Sequence, residues 1–104
     1  MSLVKSVYVC TRSFPKEELF GLGAQLRRAA VSVPSNIAEG QGRLSKKEFR
    51  QFLALARGSL LEVETQVLIA ADLGYVEQQQ SDEILIQTQE VLRILNGLIR
   101  SLPC

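Results

Sequence analysis

The sequence predicts an all-α fold: an antiparallel up-down-up-down four-helix bundle with a short first helix, occupying residues 1–104 as a single domain. Three observations carry this. Apolar residues recur at the helical period in four separate segments. Short stretches marked by Pro or Gly separate those segments. Hydrophobic residues make up 46% of the chain with only three Pro and seven Gly, which excludes a disordered or collagen-like polymer. A chain of 104 residues holds one core, at a size where extra burial by self-association adds to stability, so an oligomer is expected.

Leu3, Val7, Cys10 and Phe14 form the first helical face, and Pro15 ends it by excluding the residue before it from helical geometry. Leu19, Leu22, Leu26, Ala30, Val33 and Ile37 form the second stripe. It keeps phase across Pro34, so one helix kinked at the proline is expected, the alternative being a break there. Ser45-Lys46-Lys47-Glu48 is a capping box that starts the third helix. Its seam runs through Phe49, Leu53, Ala56, Leu60, Val63, Val67 and Ala70 and stops at Gly74, the expected left-handed cap. The fourth helix is expected to begin near Ser81-Asp82-Glu83 and to turn Ile84, Thr88, Val91, Leu95, Leu98 and Leu102 inward. Short loops between long helices make sequential neighbours antiparallel.

Two helices are apolar on more than one side. Ala54, Leu61, Leu68 and Ile69 lie off the main seam of the third helix, and Leu85, Leu92 and Ile99 make a second stripe on the fourth. Either the core-facing arc is wide or these residues meet another subunit, because exposed apolar patches of that extent are unusual on soluble monomers. Arg28, Ser32, Ser35 and Glu39 occupy the outer face of the second helix, where they meet a neighbouring subunit or line a solvent channel. Leu61, Ile69, Leu85 and Leu92 complete the candidate interface.

Net charge is +1, but it is unevenly spread. Residues 25–58 carry seven basic side chains against two acids, whereas residues 59–104 carry two against seven. Such segregation favours head-to-tail association. The two cysteines, Cys10 and Cys104, stand at opposite ends and no histidine is present. Neither a zinc cluster nor an imidazole dyad can be assembled, and both thiols are expected reduced. No apolar run approaches the roughly 20 residues of a membrane span, so a cytoplasmic location without membrane contact is expected.

Chemistry concentrates between residues 40 and 57. Gly40, Gly42 and Arg43 precede a capped helix start, where free amides, the positive dipole end and nearby cations would hold an anion such as phosphate. The alternative is a tight turn with solvated charges. The pattern is neither a P-loop nor a dinucleotide fingerprint. Arg43, Lys46, Lys47, Arg50 and Arg57 make a basic ridge able to follow a nucleic-acid backbone by displacing counterions. No aromatic is interleaved, so backbone or shape would be recognised rather than sequence. The competing expectation is a solvated face, with Arg57 paired to an acid such as Glu64. Glu39, Glu62 and Glu64 are the only carboxylates among apolar residues; bundle metal sites normally add histidine. No enzyme activity, cofactor, metal or small-molecule substrate is expected.

Arg27-Arg28-Ala29-Ala30-Val31-Ser32-Val33-Pro34-Ser35-Asn36-Ile37-Ala38-Glu39-Gly40, Gly42-Arg43, Ser45-Lys46-Lys47-Glu48-Phe49, Ala56-Arg57-Gly58-Ser59-Leu60, Glu62-Val63-Glu64-Thr65-Gln66 and Leu73-Gly74-Tyr75 follow one another in order. Together they resemble the four-helix-bundle family of proteins encoded in intervening sequences of 23S ribosomal RNA genes. The resemblance implies a ring-shaped pentamer and an RNA partner. Relatives with a similar bundle resemble accessory subunits of a reverse transcriptase in diversity-generating retroelements, which implies a protein-interaction scaffold as the alternative role. The family pattern carries further residues ahead of Leu3. The first helix departs from it by being short, so either the start lies upstream or a groove is left open.

Overall fold

The computed structural model describes residues 1–103; Cys104, whose thiol is noted above, lies outside them. Four helices follow in order: α1 (Ser2–Thr11), α2 (Leu22–Gln41), α3 (Lys46–Asp72) and α4 (Gln78–Ser101). A single 3-10 turn, Lys16–Glu18, lies between α1 and α2. No strand occurs among the described residues. Each helix packs on two neighbours, in the cycle α1, α2, α3, α4 and back to α1, and the diagonal pairs do not meet. The result is the expected four-helix bundle, with principal extents of 43 × 23 × 18 Å.

The inward faces are those that the periodicity marks, except that Leu98 of the α4 stripe stays 37% exposed, beyond the half of the bundle that α1 covers. Leu3, Val7, Leu26, Val33, Leu53, Leu60, Val63, Ile84 and Leu95 are almost wholly buried in one cluster. Each such side chain contributes about 1.5–3 kcal/mol by leaving water. Buried hydroxyls are satisfied within their own helices: Thr88 Oγ1 donates to the Leu85 carbonyl at 2.8 Å and Thr11 Oγ1 to that of Tyr8 at 3.1 Å. Cys10 is buried in the same core, and burial pushes its thiol pKa up to about 11.

Helix ends show where local chemistry prevails over periodicity. Ser45 Oγ accepts the Glu48 amide at 3.1 Å, the first half of the capping box. At the other end of α3, the Tyr75 amide donates to Ala70 and the Gly74 amide to Ala71, with Gly74 at φ 76. This is a Schellman motif built on the one left-handed glycine. Helix α2 runs unbroken through Pro34 but starts at Leu22 rather than Leu19, because the chain first makes its 3-10 turn. Helix α4 starts at Gln78, ahead of the expected Ser81. Ser81 is buried within the first turn and its hydroxyl bonds back to the Gln78 carbonyl at 2.9 Å.

Helix α1 has ten residues against 27 for α3, about 15 Å against about 40 Å. It therefore covers only the half of the bundle that holds the α3–α4 turn. Lateral bonds fix the register of the long pair: Arg57 with Asn96 and Glu64 with Gln89. Rising numbers on α3 thus meet falling numbers on α4, which is the antiparallel arrangement. No helix is long and apolar enough to cross a membrane among the described residues.

Candidate nucleic-acid interface

The predicted basic ridge is divided by the structure into two environments. Arg43 turns toward the α2 flank of α3. There Nη2 lies 3.2 Å from Glu39 Oε1, Nη1 lies 4.0 Å from Glu48 Oε2, and the guanidinium stands 4.8 Å over the Phe52 ring. These are the only ion pairs among the described residues. Lys46, Arg50 and Arg57 lie on the α4 flank instead, at spacings of four and seven. Arg57 Nε donates to Asn96 Oδ1 at 2.8 Å, and Arg50 Nε to the Ile99 carbonyl at 3.4 Å. Arg57 thus takes a neutral partner rather than Glu64, whose carboxylate accepts from Gln89.

That register adds two cations absent from the expected ridge. Arg93, Asn96 and Arg100 are spaced three and four apart on α4, so the bond to Asn96 puts Arg93 and Arg100 alongside Arg57 and Arg50. Both are exposed. Lys46, Arg50 and Arg57 thus stand on the seam side of α3 with Arg93 and Arg100 a turn to either side of Asn96 on α4, Lys47 follows Lys46 toward the outer face of α3, and none of the six forms an ion pair among the described residues. Summing charge by segment hides this, because both arginines fall in the acidic stretch. The signal available in the sequence was the antiparallel pairing itself, which brings the end of α4 beside the start of α3.

Charge consequently divides along the length of the bundle rather than by chain segment. One end carries the six cations of the seam with Arg43. The opposite end gathers Glu17, Glu18, Asp72, Glu77, Asp82 and Glu83 against Lys5, Arg12 and Lys16, since the α3–α4 turn and the 3-10 turn both lie there.

The α2–α3 turn is closed by packing. A Cβ on Gly40 would stand 2.8 Å from Phe52 Cβ and 3.0 Å from Phe49 Cδ1, so this glycine permits close helix contact. The Gly42 amide donates to the carbonyls of Ala38 and Glu39, and that of Arg43 to Gly40. These amides are already engaged, the Glu48 amide is held by Ser45, and Arg43 is held by two carboxylates. The geometry of Gly40, Gly42 and Arg43 is that of a packed turn, with no free amide cradle at the two glycines.

The candidate interface residues fall on two separate faces. Arg28, Ser35 and Glu39 are exposed on α2, with Ser32 half-buried beside them. On α3, Leu55 and Ile69 are 56% and 44% exposed. Leu61 is half-buried, and Leu85, Leu92 and Ile99 are partly buried against the core, where α4 meets α3. The wide core-facing arc therefore accounts for the second stripe of α4.

Among the described residues no group of three or more His, Cys, Asp or Glu is placed to hold a metal. The comparison with curated proteins gave no match. The family described as 23S rRNA-intervening sequence protein matches over residues 1–97, nearly the whole chain and all but the end of α4. With the four-helix architecture, that match establishes that the chain belongs to the 23S rRNA-intervening sequence protein family.

Proposed function

We propose that this protein is a non-enzymatic, oligomeric bundle that binds RNA through the basic half of the α3–α4 seam. The observation that carries the reading is the convergence of Lys46, Lys47, Arg50, Arg57, Arg93 and Arg100 on one rigid surface without a paired acid. Six phosphate contacts would release enough counterions to bind RNA at moderate salt. Assembly uses other surfaces, the outer face of α2 with Arg28, Ser32, Ser35 and Glu39 and the exposed Leu55 and Ile69 of α3. A closed ring of subunits, a pentamer being favoured, leaves every basic seam exposed and multiplies weak contacts into avidity. The protein acts in the cytoplasm. Crosslinking the protein to RNA with ultraviolet light should label peptides spanning Lys46–Arg57 and Arg93–Arg100. Labelling confined to other segments would remove this site.

A second reading is supported by Leu44 and Phe20, which are 105% and 93% exposed at opposite ends of α2. Large apolar side chains so fully in water suit a protein partner, as in an accessory subunit of a nucleic-acid enzyme such as a reverse transcriptase. Recovery of protein partners without any RNA would favour it.

A further inference from the structure

We infer that the basic seam takes double-stranded RNA, gripping the phosphates on either side of its shallow groove, rather than a single strand. The inference rests on the RNA reading above and names the form of RNA. Its first support is rigidity. The cations stand in two rows on packed antiparallel helices whose axes lie about 8–10 Å apart. The α3 row spans about 16 Å from Lys46 to Arg57, and the α4 row about 10 Å from Arg93 to Arg100. Arg57 is held by Asn96 and Arg50 by the Ile99 carbonyl, each through Nε, which leaves the terminal guanidinium nitrogens without a hydrogen bond among the described residues. Two of the six charges are thereby fixed about two turns apart on one helix, with the other four on the same packed pair, and fixed charges match a stiff lattice of phosphates better than a strand that must be moulded to them.

The second support is the missing stacking surface. Binders of single strands add about 1–3 kcal/mol per base from aromatic platforms. Here no aromatic reaches the seam. Phe49 turns to Gly40, and Phe52 lies under Arg43 on the α2 flank. Phe14 and Tyr75 pack as a tilted pair with ring centroids 5.6 Å apart near the far end, and Tyr8 lies beneath Arg27. Phosphate contact alone remains, and a duplex presents phosphates at roughly twice the linear density of one strand.

The third support is shape. Two helices side by side make a blunt ridge about 20 Å across, since each is about 10 Å in diameter. A ridge that broad cannot reach the floor of either B-form groove, each about 8 Å deep and at most about 12 Å wide. The wide, shallow minor groove of A-form RNA accepts a blunt surface and displays 2′-hydroxyls to it. The acidic end of the bundle limits the contact to half the ridge.

The test is fluorescence anisotropy with an RNA duplex of about 20 base pairs, longer than the roughly 16 a double-strand module spans. The same RNA as a single strand and the matching DNA duplex are the comparison ligands. The RNA duplex should bind at least about tenfold tighter than either. The quadruple variant K46Q/K47Q/R93Q/R100Q, whose side chains are all exposed in the parent and whose helicity is checked by circular dichroism, should bind the RNA duplex at least about tenfold more weakly at moderate salt. A single strand bound as well as the duplex overturns this inference and leaves the RNA reading standing. Equal binding of the DNA duplex overturns the shape argument. Failure to bind any of the three overturns the RNA reading beneath it.

Discussion

Arg57 Nε donates to Asn96 Oδ1 at 2.8 Å, joining the middle of α3 to the last turns of α4. The bond does two things. It sets the register of Arg93 and Arg100 against Arg50 and Arg57, and it occupies Nε while leaving both terminal guanidinium nitrogens without a hydrogen bond among the described residues. Because the pair is exposed, its net contribution is about 1 kcal/mol. A double-mutant cycle of Arg57→Ala and Asn96→Ala, read by urea denaturation, should show a coupling of about 0.5–1.5 kcal/mol. Additive effects would mean that the two helices are held in register by their apolar seam alone.

Two helical glycines should respond oppositely to alanine. Gly40→Ala forces a methyl group against Phe52 Cβ and Phe49, and should cost about 1–3 kcal/mol through overpacking. A Cβ on Gly58 meets nothing within 4 Å. Gly58→Ala should stabilise α3 by about 0.5–1 kcal/mol, the ordinary helix-propensity gain. Thermal melts of the two variants check both signs; a Gly40→Ala variant as stable as the parent would contradict the close packing of the α2–α3 turn.

The buried Cys10 thiol makes stability depend on alkaline pH. Its folded pKa, about 11, lies above the unfolded value of 9.0. The unfolded chain therefore loses the proton first, and the stabilisation present below pH 9 is lost as pH rises from 9 toward 11. The full effect is about 2–3 kcal/mol. Urea melts between pH 8 and pH 11 should show a steeper decline for the parent than for Cys10→Ala. Parallel declines would assign the loss to other groups.

Assembly is tested at the flank of α3. Leu55→Glu with Ile69→Glu changes two exposed side chains and leaves the core intact. Light scattering should give a multiple of the chain mass for the parent, with a pentamer favoured, and a monomer for the double variant. A parent that stays monomeric at micromolar concentration would remove the ring, and a variant that still assembles would move the interface elsewhere.

Much of the fold was legible because burial follows period. The seams through Leu53, Leu60 and Val67 on α3 and through Ile84, Thr88 and Leu95 on α4 are buried where the spacing placed them. Gly74 was readable because only a left-handed residue closes a Schellman motif. Ser81 misled because a serine followed by acids looks like a cap, whereas its hydroxyl serves its own helix. The candidate site was legible only in part. Lys46, Lys47, Arg50 and Arg57 share one helix and could be grouped by spacing. Arg93 and Arg100 join them only through tertiary register, and Arg43 leaves them because Glu39, Glu48 and Phe52 offer it better contacts.

The most direct test of phosphate binding by the α3–α4 seam is the salt dependence of RNA affinity in the parent and in K46Q/K47Q/R93Q/R100Q. With six cations engaged, log affinity should fall against log salt with a slope of about −5 for a duplex, losing about a thousandfold between 50 and 200 mM. Removing four of the six should flatten that slope by about 3 to 4. A variant that binds RNA with the parent's slope would contradict the assignment, because the phosphates would then be met by other side chains.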